Sequence, residues 1–294
     1  YLHRGGAPVT LADELAERAD LLNREGIRWE GLDADFRFTV PVTLGLKDVA
    51  GTDLVILCVK AYHTETASRQ IHDAGYSGPI MTLQNGVGNA EMIIDMCPGS
   101  PVIAGITSEG ANLAADNHVR HAGKGKTIFG PLAPGFPGSG FMDGLVSVMR
   151  KGGLHAELSD DPQSLVWGKV LINAGINALT AILQVRNGQL LEIDPARELM
   201  IDLVLEAREV IARRGIALPD ADPVARVEEV CRLTAPNFSS MCMDIRHGRR
   251  TEIDFINGAI VREGDALGLA CPYNDAVTRM VKCLEVKKII EKKY

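Results

Sequence analysis

Asp53-Leu54-Val55-Ile56-Leu57-Cys58-Val59 decides the fold class. After one acid the run is apolar without a break and lacks the alternation of a half-solvated strand. A strand of this kind is buried on both faces, as in a parallel sheet covered by helices. Pro79-Ile-Met-Thr-Leu83 and Pro101-Val-Ile-Ala-Gly-Ile-Thr107 read the same way. Further upstream, Val9-Thr10-Leu11 reads as a short strand. A helical pattern follows through Leu15, Ala19 and Leu22 and stops at Gly26. Strands alternating with helices imply a doubly wound α/β sheet. Residues 118–121 and 126–129, flanking Ala-Gly-Lys-Gly, read as a β-hairpin.

The richest cluster of breakers is Pro134-Gly-Phe-Pro-Gly-Ser-Gly140, with a helix and a short strand at 154–158 expected after it. The character of the chain changes at Ser159-Asp-Asp-Pro162, where a capping carboxylate precedes a proline in the first helical turn. Helices are expected over 162–183, 195–214, 223–233, 239–247, 251–267 and 274–291. The expected layout is two domains, an α/β domain over 1–158 and an all-α domain over 159–294.

Composition narrows the function classes. The chain has 294 residues, 46% of them hydrophobic, and a formal net charge of -7. The charge argues against a nucleic-acid partner, which would favour a basic stripe. It leaves room for a small anionic substrate, which needs only a few local cations. No uninterrupted apolar run approaches the ~18 residues of a membrane span, so no membrane partner is expected. Cys58, Cys97, Cys231, Cys242, Cys271 and Cys283 form no C-x-x-C pair and lie mostly in apolar segments. They read as buried free thiols of a reducing, cytoplasmic compartment, and no metal site is expected.

The chemistry concentrates in the second half. Val166-Trp-Gly-Lys-Val-Leu-Ile-Asn-Ala-Gly-Ile-Asn-Ala-Leu-Thr-Ala-Ile-Leu183 is apolar almost all round except at Lys169, Asn173 and Asn177. Their spacing drifts about 80° around the helix, so they share one face. A helix this apolar is buried. Its ammonium and amides then need partners, at a cost of about 1–3 kcal/mol each if left without. The stripe therefore lines a polar cavity or joins a structural network between helices; spacing admits both. A buried lysine has its pKa lowered, which makes it a usable proton donor near neutrality.

Asn187, in Val185-Arg-Asn-Gly188, either turns back to the same cavity or forms an ordinary Asn-Gly turn. Asn237, Ser240 and Asp244 are spaced to share a face. Ser240 stands at an expected helix start, where it would bind a carboxylate or simply cap the helix. Glu252, in Thr251-Glu-Ile-Asp-Phe-Ile-Asn-Gly258, opens an expected helix and by itself reads as a solvated acid favoured by the helix dipole. Lys60 and Asn85 follow two of the buried strands, where open α/β sheets bind ligands; each could equally belong to a plain turn.

Five strings in order resemble the ketopantoate reductase (2-dehydropantoate 2-reductase) family: Leu57-Cys-Val-Lys-Ala61, Leu83-Gln-Asn-Gly-Val-Gly88, Trp167 to Asn177, Asn237-Phe-Ser-Ser-Met241, and Thr251 to Gly258. The resemblance implies a Rossmann-like N-terminal domain, a helical C-terminal domain and NAD(P)H-dependent reduction of 2-dehydropantoate to pantoate. It implies that Lys169 protonates the carbonyl oxygen, with Glu252 supporting that transfer. Asn173, Asn177, Asn187, Asn237 and Ser240 would hold the substrate, with Lys60 and Asn85 beside the nicotinamide and ribose.

Two departures from the family pattern stand out. The first strand and its glycine-rich turn are absent from this chain, and Gly5-Gly6 precedes a strand instead of linking strand to helix. Either the sequence is a truncated form of a complete enzyme or the gene product has lost its pyrophosphate cradle; as it stands, such a chain would bind its cofactor weakly or not at all. Secondly, Asp13-Glu14 stands where many members carry an arginine for the 2′-phosphate of NADP. An acid there implies NADH over NADPH. Two alternatives accompany this reading: a reductase of another branched 2-oxo acid, and a non-catalytic relative without the cofactor cradle. An apolar helical half is also compatible with a homodimer.

Overall fold

The computed structural model describes residues 1–32, 34–46, 49–132 and 139–291; most of the breaker cluster at 134–140 lies outside them. The chain divides into two compact units. The first comprises Tyr1–Val59, Thr64–Leu83 and Ala90–Pro162; the second comprises Lys60–His63, Gln84–Asn89 and Gln163–Tyr294.

In chain order the first α/β region carries β1 (Leu11–Asp13), α1 (Ala16–Glu25), β2 (Ile27–Glu30), β3 (Asp35–Phe38), β4 (Val42–Leu44), β5 (Val55–Leu57), α2 (Thr64–Asp73), β6 (Ile80–Thr82), α3 (Asn89–Met96), β7 (Val102–Thr107), β8 (Gly110–Ala115), β9 (His118–Gly123), β10 (Lys126–Pro131), α4 (Ser139–Lys151) and β11 (His155–Leu158). The main sheet has the order β11-β10-β7-β6-β5. Strands β5, β6 and β7 run parallel, with Ile56 opposite Met81 and Met81 opposite Ile103.

The unalternated runs behave as expected of strands covered on both sides. Leu57, Ile80 and Val102 pack into one core with Ile71 and Ile93. Met81 and Ile103 pack into another with Phe129, Met142 and Met149. Each such side chain removed from water contributes about 1.5–3 kcal/mol, so both faces of the sheet hold the unit together. The first strand begins later than the sequence suggested, at Leu11, and pairs in parallel with β4.

The hairpin is elsewhere than expected. β9 pairs with β8 and β2, while β10 pairs with β7 and β11. The chain turns at Asp116-Asn117, between two long antiparallel arms made of β7–β8 and β9–β10. Ala-Gly-Lys-Gly is a break within one arm, where Gly125 donates its N–H to Glu109 Oε1 at 3.0 Å. Both candidate turns contain favourable residues; β8 and β9 pair across Asp116-Asn117, with Ala115 opposite His118. The four-stranded sheet β3-β2-β9-β8 was likewise not evident from local pattern.

The second unit is helical: α5 (Pro162–Leu183), α6 (Asp194–Arg213), α7 (Pro223–Leu233), α8 (Ser240–Arg246), α9 (Asn257–Ala266) and α10 (Pro272–Glu291). The order α/β then all-α is thus the one the sequence implied. α7 starts on Asp222, whose carboxylate accepts the Ala225 N–H at 3.0 Å. Leu171, Ala174 and Ala178 of α5 belong to one core with Met200, Leu203, Val204, Val227 and Ile260. By length and composition α5 could cross a membrane, yet 61% of that stretch is buried inside the protein.

The expected helix over 251–267 is broken. Ile253–Phe255 form a 3-10 turn, and Ile256, at φ -113° and ψ -95°, separates it from α9. Among the cysteines, Cys97, Cys231, Cys242 and Cys271 are buried as expected, whereas Cys58 and Cys283 are exposed.

Candidate active site

The second unit holds every candidate side chain except Asp13. Its chemistry is built around Glu252. This residue does not sit on a solvated helix face: it is 6% exposed and stands just before the 3-10 turn. Its Oε1 accepts the Ala61 N–H at 3.0 Å, and its Oε2 lies 3.6 Å from Lys60 Nζ. The preceding residue is anchored too, because Thr251 donates both N–H and hydroxyl to Glu285 Oε1 at 2.6 Å. These long-range bonds take Glu252 off the helix and turn it inward.

Lys60 also donates to Asp244 Oδ2 at 2.7 Å, and Arg249 donates to Asp244 Oδ1 at 3.0 Å. Asp244 is 3% exposed, and both of its oxygens are engaged by cations, as a buried carboxylate requires. Burial opposes the charge on Lys60, but Glu252 and Asp244 outweigh it and raise the lysine's pKa. Lys60 is therefore a fixed cation.

Lys169 behaves in the opposite way. Its side chain as a whole is only half-buried, yet its ammonium is strongly desolvated. Burial pushes its pKa down to about 8, against the pull of the Glu252 carboxylate. One acid thus acts on two lysines, one kept charged and one poised to give up its proton near neutrality. Asn173 and Asn177 continue along α5 from Lys169; Asn173 is half-buried and Asn177 buried.

Asn187 is buried and fixed in orientation. Its backbone N–H donates to Asn237 O at 2.9 Å, and its Nδ2 donates to Thr234 Oγ1 at 2.9 Å. Thr234 spends its own hydroxyl proton on Val230 O at 2.7 Å, so towards Asn187 it can only accept. The amide therefore presents Oδ1 on its other side, and this buried acceptor has no partner among the described residues. An unmet acceptor at such a place costs about 1–3 kcal/mol and calls for a hydroxyl or amine donor.

The cap of α8 is Ser239, not Ser240. Ser239 Oγ accepts from Cys242 N at 3.1 Å and from Thr180 Oγ1 of α5 at 2.7 Å. Ser240 occupies the first turn and is exposed, as is Asn237. Asp244, expected on the same face, is instead buried against Lys60.

Around Asn85 the backbone makes a close turn. Gly86 has φ +93°, and a Cβ there would stand 2.5 Å from Phe255 Cβ. Val87 N donates to Phe255 O at 3.0 Å, so the turn is tied to the segment that carries Glu252. Asp13 belongs to the first unit and ends β1. Its carboxylate is gripped by Arg18, with Nε on Oδ2 at 2.5 Å and Nη2 on Oδ1 at 2.8 Å. Burial raises its pKa, but the Arg18 contact and the Leu15 N–H prevail and lower it.

Residues 1–134 match the model of the ketopantoate reductase PanE/ApbA family, and residues 161–285 match the model of its C-terminal region. A 2-dehydropantoate 2-reductase of Halobacterium salinarum is 33% identical over 95% of this chain and 91% of its own length. The chain belongs to the ketopantoate reductase family. A second relative, the 2-dehydropantoate 2-reductase of Archaeoglobus fulgidus, is 37% identical over 79% of this chain and 76% of its own length.

Among solved structures, a PanE/ApbA family ketopantoate reductase from Ralstonia eutropha superposes with a TM-score of 0.89 at 30% identity, covering 98% of this chain and 93% of that one. A D-mandelate dehydrogenase solved with NADH and anilino(oxo)acetate also gives 0.89, at 28% identity, covering 98% and 94%. The family resemblance carried by the five strings is thereby borne out. Thr234, which orients Asn187, and Thr251, which anchors the segment before Glu252, carry no local signal; their partners lie 47 and 34 positions away.

Proposed function

We propose that this chain reduces 2-dehydropantoate to pantoate with a reduced nicotinamide nucleotide. The observation that carries the reading is the placement on buried helix α5 of Lys169, its pKa lowered to about 8 by burial, within the field of the buried Glu252 carboxylate. When bound, the nicotinamide supplies a hydride to the carbonyl carbon. Negative charge then develops on the carbonyl oxygen, and a preorganised cation beside it lowers the barrier. Lys169 gives its proton to that oxygen. Glu252 keeps Lys169 protonated at rest, since its charge opposes the loss. The set suits the nucleotide as well: Lys60 is a fixed cation, the Gly86 turn brings backbone close beside Asn85, and Gly88, at φ +94°, has open space where a Cβ would stand. Lys60 and Asn85 would hold the nicotinamide and ribose.

Asn173, Asn177, Asn237 and Ser240 would hold the substrate's polar ends. Asn187 separates the leading reading from a reductase of another branched 2-oxo acid. It presents an acceptor only, so it favours a substrate that carries a hydroxyl, as 2-dehydropantoate does. The reading as a non-catalytic relative has against it a proton donor and its acid held in one unit.

Asp13 favours NADH through its acceptor capacity, but Arg18 already neutralises it, so the preference is modest and NADPH is also accepted. Free thiols throughout suit a cytoplasmic enzyme. Steady-state reduction of 2-dehydropantoate and of its deoxy analogue, 3,3-dimethyl-2-oxobutanoate, tests the substrate assignment. A preference of about a hundredfold or more in kcat/KM for the hydroxylated acid is expected from a site with a committed acceptor; equal values would favour the broader 2-oxo acid reading.

A further inference from the structure

Arg186 and Arg246 stand out among the cations of this chain. Both are exposed, and both guanidiniums lie over the ring of Phe238, at 4.5 Å and 3.6 Å from its centroid. Bringing two like charges to one ring needs fixed partners, and the partners present are neutral. Arg186 donates to Pro236 O. Arg246 donates to Gln184 Oε1 and Gln184 O, both at 3.1 Å. Gln184 is held at φ +58°, the one non-glycine residue with positive φ among the described residues. No described carboxylate forms an ion pair with either arginine, nor with Arg208 or Arg262, whereas Arg197, Arg214, Arg226, Arg232 and Arg249 of the same unit are paired; among the described residues only Arg186 and Arg246 converge on one ring. In a chain of net charge -7, two held and uncompensated guanidiniums are a place for an anion.

Their position says which one. Arg186 directly precedes Asn187, and Phe238 directly follows Asn237; these two asparagines are joined by the Asn187 N–H to Asn237 O bond. Arg246 ends the helix that Ser240 begins. Both charges thus sit on the short scaffold that carries three of the proposed substrate residues. A charge acts over about 8 Å at physiological salt, and a few fixed cations beside a site raise capture of an anionic substrate.

We propose that Arg186 and Arg246, held over Phe238, form a cationic rim that draws in the carboxylate of the 2-oxo acid. The inference rests on the substrate reading above. It adds two residues whose work is capture, not chemistry. A free phosphate ion would be attracted by the same chemistry and would compete.

The test is kcat/KM against sodium chloride concentration for the full chain and for Arg186→Gln, Arg246→Gln and Arg186→Lys, with the 2-oxo acid and with its neutral amide. Both glutamine variants are expected to lose about threefold to tenfold in kcat/KM for the acid at low salt. The loss should lie mainly in KM, with a flatter salt dependence and little change for the amide. Arg186→Lys should retain most of the acid's kcat/KM, and inorganic phosphate should inhibit the wild type more than Arg186→Gln. Equal salt dependence in wild type and Arg186→Gln, or equal losses for acid and amide, would overturn the rim. Should the wild type reduce neither compound, the substrate reading fails by itself. The rim is then judged by calorimetric titration with inorganic phosphate: weaker binding to Arg186→Gln supports it, and equal binding overturns it.

Discussion

Thr234 fixes the orientation of Asn187 by accepting its Nδ2 at 2.9 Å while giving its own proton to Val230 O. The outcome is a buried amide with only its oxygen free. Thr234→Val removes the acceptor and lets the amide present either end. The variant is expected to lose about tenfold of the preference for 2-dehydropantoate over its deoxy analogue, since a buried group that can re-pair no longer penalises the wrong substrate. Parallel kcat/KM measurements check it, and an unchanged ratio would remove Asn187 from the hydroxyl's recognition.

Lys169 must be protonated to donate, so reduction should fall as pH rises through about 8, where burial has brought its pKa. Glu252 pulls that value upward. Glu252→Gln removes the pull, so the alkaline limb of the kcat profile should move to lower pH. A limb that stays in place would separate Glu252 from the proton donor.

The same shift has a consequence for stability. An unfolded lysine titrates near 10.4, and the folded one near 8. Below about pH 8 both states are protonated, and the buried charge costs the fold its full penalty. Between the two values the unfolded chain binds more protons, so stability rises with pH through this group. Lys169→Met should therefore raise Tm at pH 7, by an amount that shrinks as pH approaches 10. A pH-independent difference would place the ammonium in water.

Arg18 grips Asp13 through two hydrogen bonds. Arg18→Gln frees the carboxylate to meet a ribose diol and to repel a 2′-phosphate. The ratio of NADPH to NADH dissociation constants should rise about tenfold, read by nucleotide fluorescence without any turnover. No change in the ratio would take this pair out of cofactor selection.

What could be read in the sequence follows from the range of the forces involved. The unalternated run at Asp53–Val59 and the Lys169-Asn173-Asn177 stripe speak for themselves, because burial of a whole face leaves its period in the chain. Pro162 and Pro223 mark helix starts through local backbone chemistry, and the helices begin there. Glu252 shows the limit. In sequence it has the look of a dipole-favoured acid, and only bonds to Ala61 and the anchoring of Thr251 by Glu285 turn it inward. Ser239 and Ser240 are adjacent and alike, and the choice of cap is made by Thr180, 59 positions away. The hairpin at Asp116-Asn117 is a different case: its strands are adjacent in sequence, and Ala-Gly-Lys-Gly offers a local turn of equal merit.

Lys169 as proton donor in 2-dehydropantoate reduction is tested by following oxidation of NADH and NADPH by the wild type and by Lys169→Ala with 2-dehydropantoate at neutral pH. The wild type should turn over to pantoate. The variant's kcat should be lower by about a hundredfold to ten-thousandfold, with the nucleotide's dissociation constant nearly unchanged. Near-normal turnover by Lys169→Ala would remove Lys169 from the proton transfer.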